Sequence, residues 1–569
     1  MIASNAITIF HLVIGIAFFE RASLAAYDGC LLRKSLNDCP CALMESYDFI
    51  IIGGGTAGSV IASRLSEIQI WNVLLLEAGE HESFQSRIPF FPQLLEKTRM
   101  DWNYTTTRQT RTCQSVGGYC SYPRGRVLGG SSAINYMVHM RGLRADFDRW
   151  EARGNPGWAF ESIHRYFHKA EKFIPYDRHG RGFESGGYLP VNENEPSWLT
   201  PFFTSALGEF GLLRTDLNEG TGGGYMPMQV NILNGARVSG YDAYVRPIQE
   251  RPNLHILTSA LVTKILFENG TAVGVEFEKD EELYKIQATK EVVLSAGTIN
   301  SPQILMLSGI GPVDHLRQTG ITIVRDSPVG LSLQDHIGLM AFFRLDKVAP
   351  GRGQDAIASF KEYLTNRRGV LTSPFGGLVV ALVNSSYSSL DHPDMQFHLG
   401  VGENQDICYI NGFVSRPKSR GILTLRSSNP KDPPMIDPNY LSSKHDTSIM
   451  KEVVDFIFRI TMSNSMRELG TKYMAHFHPK CENASEYTSC LIKRYGQPFF
   501  HPVATCKMGP GTDPYAVVDP QLRVHGIQRL RVADASVMPH IPSTNINAAT
   551  AMIAEKASDL IKDEHLGPG

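Results

Sequence analysis

The sequence has almost no excess of either charge: 55 Lys and Arg oppose 57 Asp and Glu, giving a net charge of −2 at pH 7. This balance provides no electrostatic footprint for nucleic acid or an acidic membrane surface, so the expected partner is a small molecule. The nine cysteines contain no C-x-x-C pair, so no metal site is expected. Internal repeats and low-complexity tracts are also missing. At 569 residues, the chain exceeds what one core usually holds, which predicts two domains.

Hydrophobic runs of membrane-spanning length are missing as well. The apolar block Ile7–Phe19 is too short for a membrane span and is followed by small residues at Ala22–Ala26. This pattern predicts a signal peptide at residues 1–26, with cleavage near Ala25 or Ala26, although residues 2–19 carry no Lys or Arg. An uncleaved anchor or a buried helix is the alternative interpretation.

Sequons and cysteines agree with a secreted, extracellular glycoprotein. Asn-x-Ser/Thr triplets begin at Asn103, Asn269, Asn384 and Asn483. Cysteines without metal-site spacing favour an oxidising compartment. Two pairs are close enough to staple local loops, Cys113 with Cys120 and Cys481 with Cys490, whereas Cys30, Cys39 and Cys41 have no assignable connectivity. An odd number leaves one thiol over, and Cys506 is the candidate.

The most informative stretch begins at Tyr47. The short apolar run Phe49–Ile52 is typical of a strand buried on both faces, and Gly53, Gly55 and Gly58 follow it in a G-x-G-x-x-G pattern. In such a motif the first glycine permits the tight turn, the second lets the backbone approach a pyrophosphate, and the third lets helix and strand pack closely. A helix is predicted next, with one apolar face formed by Ala57, Ile61, Leu65 and Ile68.

A second predicted strand completes this unit. Val73–Leu76 is apolar, and Glu77 follows it about 20 residues after the glycines, where an acid accepts hydrogen bonds from an adenosine ribose. The pyrophosphate of a dinucleotide would lie at the N-terminus of the intervening helix, where free N–H groups and the helix dipole favour negative charge. The unit therefore predicts a dinucleotide site but does not separate FAD from NAD.

Two later stretches resemble the signatures of a known family. Residues 122–135 read Tyr-Pro-Arg-Gly-Arg-Val-Leu-Gly-Gly-Ser-Ser-Ala-Ile-Asn, and residues 297–311 begin Gly-Thr-Ile-Asn-Ser-Pro-Gln. Both are similar to signatures of the glucose–methanol–choline (GMC) oxidoreductases, which bind FAD, and secreted arthropod members related to glucose dehydrogenase are the most similar. In the second stretch Ser301-Pro302 predicts a helix start, with Ile304, Leu305 and Leu307 entering the core.

The resemblance implies a fold and a division of the chain. We expect an α/β, Rossmann-like FAD-binding domain interleaved with an α+β substrate domain built on an antiparallel sheet. Residues 46–160, 230–335 and 505–565 are assigned to the first, and residues 161–229 and 336–504 to the second. Four short strands are predicted between the signatures: Leu254–Leu257, Leu261–Phe267, Ala272–Phe277 and Val292–Leu294.

The resemblance also implies the residues that hold FAD. Besides the three glycines and Glu77, they are Thr56, Ala57, Val127, Gly130, Ser131, Asn135, Val138, Val262, Asp534, Ala535 and Asn547. Ile134 occupies the place where some members attach FAD covalently through histidine, so non-covalent binding is expected. From the residues alone, Asp534 can equally be a cap or turn residue that ends the predicted strand Leu530–Ala533.

The resemblance assigns the chemistry to His501 and Asn545. A histidine with a pKa near 6.5 can accept the hydroxyl proton of an alcohol while a hydride passes to flavin N5, and the amide of Asn545 can donate to the substrate oxygen. Without the resemblance, a histidine before proline is more often structural, and Asn545 and Asn547 can be N-caps of the final helix. Ala504 and Thr544 depart from the smaller residues of many relatives and could narrow the pocket or shift the backbone slightly.

The sequence therefore predicts an FAD-dependent alcohol oxidase or dehydrogenase acting on a CH–OH donor, with oxygen or another acceptor taking up the electrons. The first alternative is an FAD-containing hydroxynitrile lyase that processes a cyanohydrin. The second is a non-catalytic secreted flavoprotein. Relatives with this pattern act on sugars, aromatic alcohols, cyanohydrins, sterols or aliphatic alcohols, so the motifs leave the substrate open.

Overall fold

The computed structural model describes residues 43–174, 186–220, 222–347, 356–389, 392–402, 406–481, 484 and 486–567. The predicted signal peptide, Cys30, Cys39, Cys41 and the sequon at Asn483 lie outside these ranges. Among the described residues, no helix is both long and apolar enough to cross a membrane.

A seven-stranded sheet is built around the opening motif. Its strands, in spatial order, are Leu254–Leu257, Val73–Leu76, Ser46–Ile52, Glu282–Leu294, Thr271–Lys279 and Leu261–Glu268, with Leu530–Val532 also paired to Glu282–Leu294. The first four strands of this order make three parallel pairings, and Leu530–Val532 adds a fourth, whereas the last three strands of the order form an antiparallel meander. All four strands predicted between the signatures are present, the last as the end of a longer strand.

The register of the parallel strands places their carboxyl ends side by side. Ile52 pairs with both Leu76 and Leu294, and Leu294 pairs with Val532. Gly53, Glu77 and Ser295 therefore emerge together at one edge, where ligands bind in open α/β sheets.

Two helices pack side by side against this sheet edge. Thr56–Leu65 follows the glycines, and Asn547–Leu566 ends the fold. Arg64 and Glu555 join them through a buried ion pair of 2.8 Å. Three of the four residues predicted for the apolar face of the first helix lie in it. The helix ends at Leu65, and the fourth residue, Ile68, packs against the core from the turn that follows.

The helix at the second signature starts earlier than predicted. It spans Gly297–Leu307, so Pro302 lies inside it rather than in its first turn. Proline lacks the N–H that would bond the carbonyl of Thr298. The Thr505 hydroxyl donates to that carbonyl instead, at 2.6 Å, which explains why the helix continues through Pro302. Ile304 and Leu305 are buried as predicted, and Leu307 is half-buried.

A second seven-stranded sheet is antiparallel throughout. Its order is Lys472–Tyr473, Ile337–Arg344, Ile407–Val414, Met395–Val401, Gly377–Val383 and Gly224–Pro227, with Gln497–Pro498 also paired to Ile337–Arg344. The helix Lys444–Thr461 packs on it, with the rings of Phe397 and Phe456 4.9 Å apart. A sheet of mixed parallel and antiparallel strands beside a wholly antiparallel sheet confirms the predicted fold class, while the exact domain ranges stay a prediction.

The remaining α-helices surround the two sheets. They span Arg144–Ala152, Phe160–Ala170, Thr200–Glu209, Val313–Gln318, Ala356–Asn366, Asn464–Glu468 and Tyr487–Tyr495. Short paired strands add Tyr104–Thr105 with Ser121–Tyr122, Glu171–Ile174 with Leu189–Glu193 and Gln229–Val230, Ile232–Leu233 with Ala236–Arg237, Ile310–Gly311 with Arg325–Asp326, and Ile422–Thr424 with Met435–Asp437.

Both predicted cysteine staples are confirmed. Disulfides join Cys113 to Cys120 and Cys481 to Cys490. Cys506 is a buried free thiol, as expected, and the structure adds a second one, Cys408, within a strand of the antiparallel sheet. Among the sequon residues, Asn103 and Asn269 are exposed and Asn384 is half-buried.

Candidate active site

The three motif glycines differ in what each position requires. Gly53 has φ +97°, and a Cβ there would lie 2.7 Å from the Ser295 carbonyl oxygen; a Cβ on Gly58 would lie 1.8 Å from the Gly53 oxygen. The protein's own backbone therefore demands glycine at both positions. At Gly55, by contrast, the nearest protein atom is the Gly130 Cα at 3.8 Å. The missing side chain at Gly55 keeps space open for something other than the protein.

The helix after these glycines has no side chain to cap it. Its N-cap is Gly55, and its first turn contains no acidic residue. The closing helix is similar, because its N-cap is Ile546 and no side chain caps it. Both N-termini border one cavity, which Thr56 and Asn547 also line. Uncapped N–H groups and the positive ends of two helix dipoles suit the phosphates and the electron-rich ring of a dinucleotide.

Most of the predicted cofactor residues line this cavity. They are Gly53, Gly55, Thr56, Ala57, Glu77, Gly130, Ser131, Asn135, Val138, Val262, Asp534, Ala535 and Asn547. Gly58 instead packs the helix on the strand, and Val127 is buried beside the loop, accepting a hydrogen bond from the Gly130 N–H. Ile134 is also on the lining.

Glu77 fixes the glycine turn. One carboxylate oxygen accepts from the Gly54 N–H and the other from the Gly79 N–H, both at 2.8 Å. Burial raises the pKa of Glu77 to about 7 against these hydrogen bonds. Glu77 lines the cavity, and a carboxylate has about four acceptor sites, so it can still accept hydrogen bonds from an adenosine ribose.

Asp534 has the cap role that the residues alone suggested. Its carboxylate accepts from the Gly297 N–H at 2.9 Å, the Ser301 hydroxyl at 2.6 Å and the Ser536 N–H at 2.7 Å. These bonds fasten the end of the strand Leu530–Val532 to the start of the helix Gly297–Leu307. The strand is one residue shorter than predicted.

Neither asparagine near the closing helix is its N-cap, so the capping interpretation is wrong. The Asn547 amide oxygen accepts from the Thr56 hydroxyl at 2.9 Å, which ties the two uncapped helices together. The Asn545 amide nitrogen lies 3.0 Å from Nε2 of His501, and its oxygen accepts from Nε2 of Gln396 at 2.9 Å. Gln396 thereby orients the amide so that its N–H groups point toward His501.

His501 lies on the cavity lining and is held from behind. Its backbone N–H donates to the Asp335 carboxylate at 2.7 Å, and its Nδ1 lies 2.9 Å from Nδ1 of His336. Burial, followed by the neighbouring His336, His398 and Arg124, lowers the pKa of His501 well below its usual value. The imidazole is therefore neutral at physiological pH, which is the form that can accept a proton.

Of the two effects expected from the departures at Ala504 and Thr544, the structure does not support a narrowed cavity. Neither Ala504 nor Thr544 is on its lining, and both are buried. Ala504 has φ +73°, the left-handed conformation that favours glycine. Alanine there costs about 1–2 kcal/mol of backbone strain just after the candidate base.

Sequence reasoning missed the residues that support the pair. Asp335, His336, Gln396 and His398 belong to no motif that the sequence offered. Gln396 and His398 lie two residues apart in the wholly buried strand Met395–Val401, so they share one face. Two polar side chains at that spacing in an apolar run were the available signal.

Known proteins match nearly the whole described chain. Family models described as GMC oxidoreductase match residues 47–338 and 417–554. Glucose dehydrogenase [FAD, quinone] of Drosophila melanogaster is 38% identical over 91% of this chain and 87% of its own length. Ecdysone oxidase of Bombyx mori is 34% identical over 91% of this chain and 82% of its own length. A solved formate oxidase from Aspergillus oryzae, studied for its FAD modification, is 27% identical, with a TM-score of 0.83 over 92% of this chain and 99% of that one.

Proposed function

The chain belongs to the GMC oxidoreductase family of FAD-dependent enzymes, and we propose that it oxidises a CH–OH group of a small molecule with His501 as the base. The observation that carries this proposal is the placement of His501 and Asn545. The neutral imidazole and the fixed amide lie 3.0 Å apart. They line the same cavity as Gly53, Gly55 and the N-termini of the two uncapped helices.

In the proposed reaction, each side chain has one task. Nε2 of His501 accepts the proton of the substrate hydroxyl, and an N–H of Asn545 donates to the substrate oxygen and steadies its developing charge. When bound, FAD supplies the hydride acceptor at flavin N5. Gln396 holds Asn545 in the donating orientation through the 2.9 Å bond to its amide oxygen. Such positioning lowers the barrier without any movement during the reaction.

We propose that the flavin is held without a covalent bond. The support is Ile134, which lines the cavity and has no nucleophilic atom at the position that some relatives use for attachment. The glycine turn, Glu77 and the two helix N-termini would then provide the binding energy for FAD.

The substrate is proposed to be an alcohol with an apolar or aromatic body. We define the substrate chamber as the cavity-lining residues Tyr136, Met340, Phe375, Tyr409 and Phe499. The Phe375 ring lies 5.2 Å from Tyr409 and 6.1 Å from Tyr136. A free hexose has a hydroxyl on most carbons, and each hydroxyl left unpaired here would cost about 1 kcal/mol or more.

One polar atom beside the substrate chamber favours a substrate that has one hydrogen-bond donor besides the reacting hydroxyl. The Asn411 amide oxygen is buried and has no hydrogen-bond partner among the described residues, and Asn411 lines the cavity. Asn411 also pairs with His398 across the antiparallel sheet. A hydroxyl or N–H on the substrate body can satisfy that oxygen.

Secretion is proposed on the sequence evidence together with two structural facts. The disulfides Cys113–Cys120 and Cys481–Cys490 fit an oxidising compartment. Exposed Asn103 and Asn269 are accessible for glycosylation. Neither the structure nor the named relatives favour a cyanohydrin-cleaving reaction.

Anaerobic mixing with a panel of alcohols tests this function. We expect aromatic and other apolar alcohols to bleach the flavin at least about 10-fold faster than glucose, because each unpaired hydroxyl costs about 5-fold or more and glucose carries several. Release of hydrogen peroxide in air, compared with reduction of a dye acceptor, then identifies the electron acceptor. Turnover of a cyanohydrin with the flavin still oxidised, and no bleaching by any alcohol, would contradict the proposal.

A further inference from the structure

His336 has a hydrogen bond that fixes where its proton lies. Its Nε2 is 2.9 Å from the Ser415 carbonyl oxygen, and its Nδ1 is 2.9 Å from Nδ1 of His501. A carbonyl oxygen only accepts, so Nε2 of His336 must carry a proton and donate it. A neutral imidazole has one N–H. Nδ1 of His336 is consequently an acceptor whenever this ring is neutral.

His336 is neutral over the range in which proteins function. It is wholly buried and stacks on Phe413, with the ring centroids 4.8 Å apart. Burial lowers its pKa to about 3. The short contact between the two Nδ1 atoms therefore needs its proton from the other ring, so Nδ1 of His501 is the donor.

We propose that His336 is a positioning residue that holds His501 in the tautomer with Nδ1 protonated and Nε2 free. Nε2 is the atom that faces Asn545 at 3.0 Å. In the opposite tautomer, Nε2 would present an N–H to the Asn545 N–H and could not take a proton from a substrate. This inference rests on the proposed role of His501, and it extends that role to a residue outside the reacting atoms.

The same bond supports the protonated state that follows proton transfer. Once Nε2 has accepted a proton, Nδ1–H of His501 remains a donor to the uncharged Nδ1 of His336. No rearrangement behind the base is needed, because the hydrogen bond has the same direction before and after the transfer. His336 thus occupies the place behind a catalytic histidine where a carboxylate lies in many hydrolases.

Apart from Asn545, whose N–H groups favour the same tautomer from the Nε2 side, the groups around His501 do not fix its tautomer. One Asp335 oxygen accepts the backbone N–H groups of His336 and His501, at 2.8 and 2.7 Å, and the other accepts from Tyr440 at 2.5 Å. The cationic Arg124 donates to the Phe500 carbonyl at 2.7 Å, and His398 is bonded to Gln396 at 2.7 Å. Asp335 therefore positions the backbones, and on the Nδ1 side of the His501 ring His336 is the group that selects the protonated nitrogen.

Two variants separate this role from a structural one. Both His336→Leu and His336→Asn lose the bond to Ser415, but asparagine keeps an amide oxygen near the former Nδ1 position. We expect His336→Leu to slow flavin reduction about 10- to 100-fold, the range seen when a partner behind a functional histidine is removed, and His336→Asn to restore most of the rate. Equal losses in both variants, accompanied by equal falls in Tm, would overturn the proposal.

Nitrogen NMR of the enzyme labelled with ¹⁵N-histidine reads the tautomer directly. The His501 signals are identified by their disappearance in His501→Ala. We expect a protonated Nδ1 and an unprotonated Nε2 in the wild type, and a measurably weaker preference in His336→Leu, where only Asn545 still favours that tautomer. A protonated Nε2 in the wild type would overturn the proposal. Because this readout requires no turnover, it stands apart from a failure of His501 to act as the base.

Discussion

Replacing His501 with alanine is expected to slow flavin reduction by at least about 100-fold, the usual contribution of a general base. The loss should appear in the reduction rate at saturating alcohol, because Nε2 of His501 is assigned to the proton and not to the substrate body. Stopped-flow absorbance under anaerobic conditions measures it. This variant keeps Asn545, Gln396 and the substrate chamber, so alcohol binding should change little.

His392→Ala is the matched control, since His392 is exposed and lies outside the cavity lining. It should leave the reduction rate unchanged. A loss confined to KM in His501→Ala, with the reduction rate intact, would contradict the role of base.

The pH dependence follows from the direction of the His501 pKa. Burial and the neighbouring His336, His398 and Arg124 lower this pKa, so the ring stays unprotonated as the pH falls through 6.5. The wild-type reduction rate should therefore be level between pH 7 and pH 6. A histidine with an ordinary pKa would already lose half its base form at pH 6.5.

Substituting alanine at Gly55 is expected to weaken FAD binding without unfolding the protein. The nearest protein atom to the new Cβ would be 3.8 Å away, and φ at Gly55 is an ordinary −73°. The methyl group would enter space that the pyrophosphate requires, at a cost of about 1–3 kcal/mol. That cost weakens FAD binding about 5- to 150-fold, measurable by titrating apoprotein with FAD.

Gly58→Ala is the contrasting variant. Its Cβ would lie 1.8 Å from the Gly53 carbonyl oxygen, so helix and strand could not keep their packing, and folded protein should be lost. Circular dichroism distinguishes the two outcomes. If Gly55→Ala binds FAD as tightly as the wild type, the pyrophosphate does not lie at this turn.

The sequence predicted the cofactor half of the site well because its determinants are local. The strand Ser46–Ile52, the glycine turn and Glu77 form one continuous unit, and each glycine has a conformational or steric reason that the motif expresses. The predicted start of the helix Gly297–Leu307 was wrong because it depends on a contact that is distant in sequence. Thr505, about 200 residues away in sequence, supplies the hydrogen bond that lets Pro302 lie inside that helix.

The substrate half depends on contacts that no single stretch contains. His336 and His501 are separated by 165 positions, and Gln396 and Asn545 by 149. The strand Met395–Val401 is buried on both faces, so the spacing of Gln396 and His398 could show that they share a face but not that this face meets His501 and Asn545. The backbone strain at Ala504 also had no sign in the sequence, because the positive φ of this residue is set by tertiary packing.

The visible absorption spectrum of the purified mature protein tests the central claim most directly. The account predicts a yellow protein with the absorption bands of oxidised flavin, whose FAD is released into solution when the protein is denatured. A colourless protein that does not acquire these bands on incubation with FAD would contradict it.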